Sequence, residues 1–128
     1  MSTFFHYNQN ICLYLFINLI YPHSMFSLNE HLSKLKIEET SKLKLSRKRI
    51  LECPMCIFEY NNLEELDLSY NKLVCIPDAI GNLKKLRKLN LQENLLLSVP
   101  ENLSSLSELQ SLNLSNSKFC SIPKTICN

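Results

Sequence analysis

The sequence predicts an α/β solenoid, with short parallel strands stacked on a concave face and short helices or turns on the convex side. Three observations predict it. The first is a fixed period: leucines at 63, 66, 68 and 73 return at 86, 89, 91 and 96, and again at Leu109, Leu112, Leu114 and Phe119, each time 23 residues on. Self-similarity at such a period marks a repeat architecture. The second is alternation: Leu66 and Leu68 interleave with Glu65, Asp67 and Ser69, the period-2 pattern of a strand with one buried face. The third is a recurrent tail, Ile76-Pro77 with Ile80, Val99-Pro100 with Leu103, and Ile122-Pro123 with Ile126.

The pattern L-x-x-L-x-L-x-x-N is that of a leucine-rich repeat solenoid. Asn71 and Asn94 stand where the chain turns inward after the strand, and Ser117 holds that slot in the third copy. A buried turn leaves backbone N–H and C=O groups without ladder partners, and an amide side chain both donates and accepts. Stacking therefore predicts an internal ladder of Asn71, Asn94 and Ser117, the serine departing from the amide pattern. The residue before each proline is driven to extended geometry, and proline suits the first position of a short helix. Ile80 with Leu83, and Leu103 with Leu106, turn those helices inward. One repeat cannot bury its apolar face alone, so the stack supplies the core.

In chain order, residues 1–39 read as an irregular or helical lead-in and residues 40–128 as the repeats. The clear copies are 63–85, 86–108 and a truncated 109–128. A degenerate copy at 40–62 keeps Leu43, Leu45, Ile50, Cys53-Pro54 and Ile57 in register, with Thr40 replacing the first leucine and Lys48 the ladder asparagine. Terminal repeats are atypical in such arrays. Residues 11–21 are apolar apart from Asn18, a run shorter than the roughly 20 residues a membrane span needs. Three readings of it stand: the core of a secretory signal, a helix whose Leu13, Phe16, Ile17 and Ile20 cap the open end of the solenoid, or a leader foreign to the repeats. The array stops inside its last unit without the polar-faced cap that a solenoid end requires, so a fragment or short isoform of a longer array is expected.

Length suits one small domain: 128 residues, 45% hydrophobic and 20% charged. A net charge of +2 gives no case for nucleic acid, which asks for a strongly basic face. Gly81 is the only glycine, so no Gly-rich phosphate loop exists. His6, His23 and His31 lie outside the clear repeats, and no serine or cysteine stands in a nucleophile motif. No enzymatic activity, cofactor, metal or small-molecule ligand is expected. Cys53 and Cys56 form a C-x-x-C without the second ligand pair of a zinc site. Cys53 occupies the slot of Ile76 and Val99, so packing is its expected role. Lys42, Lys44, Arg47, Lys48 and Arg49 form a basic run. On strands about 4.8 Å apart, the columns Lys42, Glu65, Lys88, Ser111 and Lys44, Asp67, Asn90, Asn113 alternate in charge. Cross-strand pairing is therefore expected to neutralise much of this face.

The unit, continued as L-x-x-[IV]-P-x-x-[IL]-x-x-L, resembles the intracellular leucine-rich repeats of the Ras-suppressor, Scribble and Erbin type and of the plant intracellular Ras-group proteins. The resemblance covers Leu63 to Ile126 closely and Thr40 to Tyr60 weakly. It implies a cytoplasmic scaffold or adaptor segment in signalling, holding a protein partner on the concave strand face. On this chain that face carries Glu65, Asp67, Tyr70, Arg87, Lys88, Asn90, Glu93, Ser111 and Asn113, with Ser69 among the further exposed positions. Tyr70, the only aromatic among them, is the expected anchor, and Arg47 in the same column is a competing stacking partner. If residues 11–21 act as a signal, the alternative is a secreted or membrane-associated recognition module.

Overall fold

The computed structural model describes Leu32 and residues 35–120. The chain divides into two compact units, residues 1–34 and 35–128, and the fold below is that of the second. The apolar run 11–21, the three histidines and the tail from Ile122 to Ile126 lie outside the described residues.

Alternating leucines produce four three-residue strands: β1 (Lys42–Lys44), β2 (Glu65–Asp67), β3 (Lys88–Asn90) and β4 (Ser111–Asn113). They form one parallel sheet in the order β1-β2-β3-β4. The register advances by one repeat at each step, so Leu43 faces Leu66, Leu66 faces Leu89, and Leu89 faces Leu112. Identical spacing in every copy permits only this pairing, because a one-residue slip would turn each central leucine to solvent.

Parallel strands need a crossover, supplied here by a proline corner and a 3₁₀ helix at Met55–Glu59, Asp78–Asn82 and Glu101–Ser105. Proline stands one residue earlier than the sequence pattern predicts. Pro54, Pro77 and Pro100 are N-caps with extended backbone, ψ 121°, 152° and 149°. There the missing N–H is no loss, while the proline carbonyl accepts the first helical bond from Ile57, Ile80 and Leu103 at 3.1, 3.0 and 3.1 Å. Ile80, Leu83, Leu103 and Leu106 all point inward as expected.

The core lies between sheet and helices, where Leu45, Ile57, Leu68, Ile80, Leu91 and Leu96 are closed to solvent. Each such leucine or isoleucine contributes about 1.5–3 kcal/mol by burial. Gly81 sits where successive coils approach most closely: a Cβ there would lie 2.7 Å from Ser105 Oγ and 3.1 Å from the Asn102 carbonyl. Beyond β3 the closure relaxes, and Leu109, Leu112, Leu114 and Phe119 are half-buried where Leu86, Leu89, Leu91 and Leu96 are buried.

Candidate functional site

Each strand ends in the same left-handed turn. Arg47, Tyr70, Glu93 and Asn116, one per repeat, have φ of 58°, 55°, 55° and 57°. None is a glycine, so three of the four carry a side chain that disfavours this conformation, at roughly 1–2 kcal/mol each. The ladder offsets that cost. Asn71 Oδ1 accepts the Lys48 and Ile50 N–H groups at 3.0 and 3.1 Å, while its Nδ2 donates to the Leu45 and Leu68 carbonyls at 2.9 and 2.8 Å. Asn94 does the same one coil on, accepting from Leu73 N–H at 3.1 Å and donating to Leu68 and Leu91 at 3.0 and 2.9 Å. Ser117 does not extend the ladder. Its Oγ is enclosed without a hydrogen-bond partner among the described residues, because a hydroxyl on Cβ is shorter than an amide and offers one oxygen instead of two separated polar atoms.

The strand face is concave, with a depression of about 270 Å³. Six of the nine residues expected on it line this space: Glu65, Asp67, Lys88, Asn90, Ser111 and Asn113. Tyr70, Arg87 and Glu93 lie outside it. Glu65 stands at the centre of one charge column, 3.0 Å from Lys42 Nζ and 3.3 Å from Lys88 Nζ. Hydrogen bonds from Lys42 and then Lys88 hold its carboxyl below the usual carboxylate range. Arg87 bridges Glu108 at 3.2 Å and Glu64 at 3.9 Å. Exposed pairs of this kind contribute about 0–1 kcal/mol each.

The second column behaves differently from the alternation expected of it. Lys44 and Asp67 are register partners, yet the carboxylate accepts the Ser69 N–H at 3.0 Å and forms no ion pair among the described residues. Asn90 likewise accepts from Gln92 N–H at 3.2 Å, and Asn113 from Ser115 N–H at 3.0 Å. These are Asx turns, in which the side chain caps the backbone two residues on. The sequence carries their signal, an Asp or Asn at the last strand position of each clear repeat. Asp67, Asn90 and Asn113 therefore offer a partner less than their polarity promises.

Ser69, expected at the surface, is 3% exposed. The inward turn draws it under the coil, its carbonyl accepting from Arg47 N–H at 3.1 Å and Asn71 Nδ2 at 3.2 Å. Tyr70 is 44% exposed and carries the Arg47 guanidinium 4.6 Å from its ring centroid, so the stacking account of this residue holds in the structure. Glu93 accepts from Asn116 Nδ2 at 2.6 Å.

Cys53 is buried in its core slot, and burial, with a smaller contribution from Cys75, pushes its thiol up to about 12. Burial, with Glu59 second, raises Cys56 as well. Cys53, Cys56, Cys75 and Cys120 are all free thiols. One feature escaped the sequence reading: Val74 and Leu97, each 47% exposed, stack with Cys120 in an apolar column. Leu97 N–H bonds the Val74 carbonyl at 3.2 Å and Cys120 N–H the Leu97 carbonyl at 3.0 Å. Its signal is an apolar residue repeating at 23 outside the leucine pattern.

The spacing, the parallel sheet and the asparagine ladder converge with the family comparison. Residues 30–96 match the description "Leucine rich repeat", as do residues 108–128. The chain belongs to the leucine-rich repeat family. A solved leucine-rich repeat protein of Leptospira interrogans is 38% identical, with a TM-score of 0.68 over 70% of this chain and 23% of its own. The ectodomain of an Arabidopsis thaliana membrane receptor kinase, solved with Casparian strip integrity factor 2, is 37% identical with a TM-score of 0.58, over 63% of this chain and 10% of that one. A plant peptide hormone receptor solved with its peptide is 38% identical with a TM-score of 0.61, over 67% and 14%. The chain spans less than a quarter of the length of any of these three proteins. No curated protein matches the sequence. Among the described residues no helix is long and apolar enough to cross a membrane, and no three His, Cys, Asp or Glu side chains converge to hold a metal.

Proposed function

We propose that this chain is a protein-binding scaffold or adaptor segment that holds its partner on the concave strand face. The observation that carries the reading is the division of labour in the strands: Leu43, Leu66 and Leu89 are buried while Lys42, Glu65, Lys88 and Ser111 line one depression on the opposite face. The proposal is one of recognition and includes no catalytic step or cofactor. The consensus residues favour the Ras-suppressor, Scribble and Erbin type, hence a cytoplasmic role in signalling, with residues 1–39 as lead-in and 40–128 as repeats. A second reading, a secreted or membrane-associated recognition module, draws on the receptor ectodomains among the similar structures.

Two measurements test this. Tyr70→Ala combined with Arg87→Ala should weaken capture of partners from a cell lysate by about 2 kcal/mol or more, while Lys84→Ala with Glu101→Ala on the convex side should not. Loss of capture by the convex variant alone would place the binding face on the other side. The N-terminus after expression in a secretory cell decides between compartments: retained Met1 supports the cytoplasmic reading, and cleavage after residue 21 the secreted one.

A further inference from the structure

The turn after β1 is unlike the turns after β2, β3 and β4. Arg47, Lys48 and Arg49 are consecutive and exposed, Lys44 precedes them at the end of the strand, and Lys72 lies one repeat beyond Arg49. Lys48 occupies the ladder slot that Asn71 and Asn94 fill as buried residues. An ammonium there would be a buried, unpaired charge, so the side chain faces solvent. Asn71 takes over, accepting both the Lys48 and Ile50 amides, and the Lys72 N–H bonds the Ile50 carbonyl at 2.9 Å. The backbones that carry the five cations are thus fixed against one another.

No ion pair among the described residues engages Lys44, Arg47, Lys48, Arg49 or Lys72; the cross-strand pairing that neutralises Lys42 and Lys88 does not reach them. Asp67, the acid in register with Lys44, is committed to Ser69. Arg47 lies over Tyr70, which leaves one edge of its guanidinium for a planar anion. Arg49 also has φ of 58°, whereas its counterparts Lys72, Leu95 and Lys118 have negative φ.

From this juxtaposition we infer that the turn after β1, with Lys72, is a docking surface for a carboxylate-rich polypeptide segment. A long polyanion fits poorly. Continuing across the face from this corner, nucleic acid would meet Lys42, Lys88 and Arg87 already held by Glu65, Glu64 and Glu108, and the further carboxylates of Asp67 and Glu93. A short acidic block followed by a neutral polar stretch matches the surface, with cations at one corner and mixed charge beyond. The inference stands apart from the concave-face reading, because the corner would remain basic whichever face held the main partner.

The test is fluorescence anisotropy with the full chain and a labelled peptide of six glutamates joined to a glycine-serine tail. Its controls are the same peptide with glutamine for glutamate, an oligothymidine strand, and vesicles containing phosphatidylserine. Lys48→Glu with Lys72→Glu is the chosen variant, since both positions are exposed and have ordinary φ. Lys48→Gln with Lys72→Gln serves as a milder pair, and circular dichroism verifies the fold of each. The glutamate peptide should bind, lose about tenfold or more in affinity to the charge reversals, and lose binding as salt rises from about 0.05 to 0.5 M. Lys84→Glu with Lys85→Glu on the convex side should bind as the parent does. Equal binding of the glutamate and glutamine peptides, or equal loss in the convex variant, would overturn the site. Tighter binding of the oligothymidine or the vesicles than of the peptide would overturn the choice of partner.

Discussion

Replacing Asn94 by alanine tests the internal ladder directly. Asn94 is 3% exposed, and its amide serves three buried backbone groups: Leu73 N–H, Leu68 C=O and Leu91 C=O. Alanine leaves all three without that partner. An unpaired buried donor costs about 1–3 kcal/mol; the carbonyls, with a second lone pair each, add less. A total of about 3 kcal/mol follows, a large share of the roughly 5–15 kcal/mol that holds a small domain folded. With a urea slope of about 1–3 kcal/mol/M, the unfolding midpoint should fall by about 1–3 M. Asn116→Ala is the matched comparison. It removes an exposed bond to Glu93 and places alanine at φ 57°, which together cost about 1 kcal/mol. Urea titrations followed by circular dichroism measure both. Coincident midpoints would refute the argument that buried amides, and not the leucines alone, hold the turns.

Three further outcomes are expected. Leu89→Asp, which buries an unpaired charge in the core, should abolish the cooperative thermal melt, while Glu101→Ala on an exposed helix should shift it by less than about 0.5 kcal/mol; overlapping melts would mean the register is wrong. Glu93→Gly should raise stability by up to about 1 kcal/mol, since glycine adopts positive φ without the Cβ clash, and a lower urea midpoint would show that the Asn116 contact outweighs the strain. At pH 8, far below the value of about 12 to which burial and Cys75 push its thiol, Cys53 should resist iodoacetamide in the folded chain. Exposed Cys75 and Cys120 should be alkylated, as peptide mass mapping would show; rapid labelling of Cys53 would place it outside the core.

How much of the site was legible depends on how local its cause is. The inward leucines, the asparagine ladder and the Lys42, Glu65, Lys88 column follow from a period of 23 and a sheet that stacks equal positions. Alternation places Ser69 outward, whereas the left-handed residue after it folds the chain back over it. Charge alone pairs Asp67 with Lys44; the Ser69 backbone N–H two residues away is a nearer and geometrically fixed partner, and it wins.

The sequence by itself determined the repeat, the parallel sheet, the direction of the leucines that recur at the pattern positions, and the difference between amide and serine in the ladder slot. These rest on periodicity and on the burial of apolar groups, which any stacked copy must satisfy. Only the tertiary structure decided which charges are paired, where the proline stands relative to its helix, and that Tyr70 carries Arg47. It also decided that the cations after β1 remain without carboxylate partners among the described residues. Those outcomes turn on side-chain reach and on competition for single hydrogen-bonding groups between coils, distances of a few ångströms that a sequence pattern does not encode.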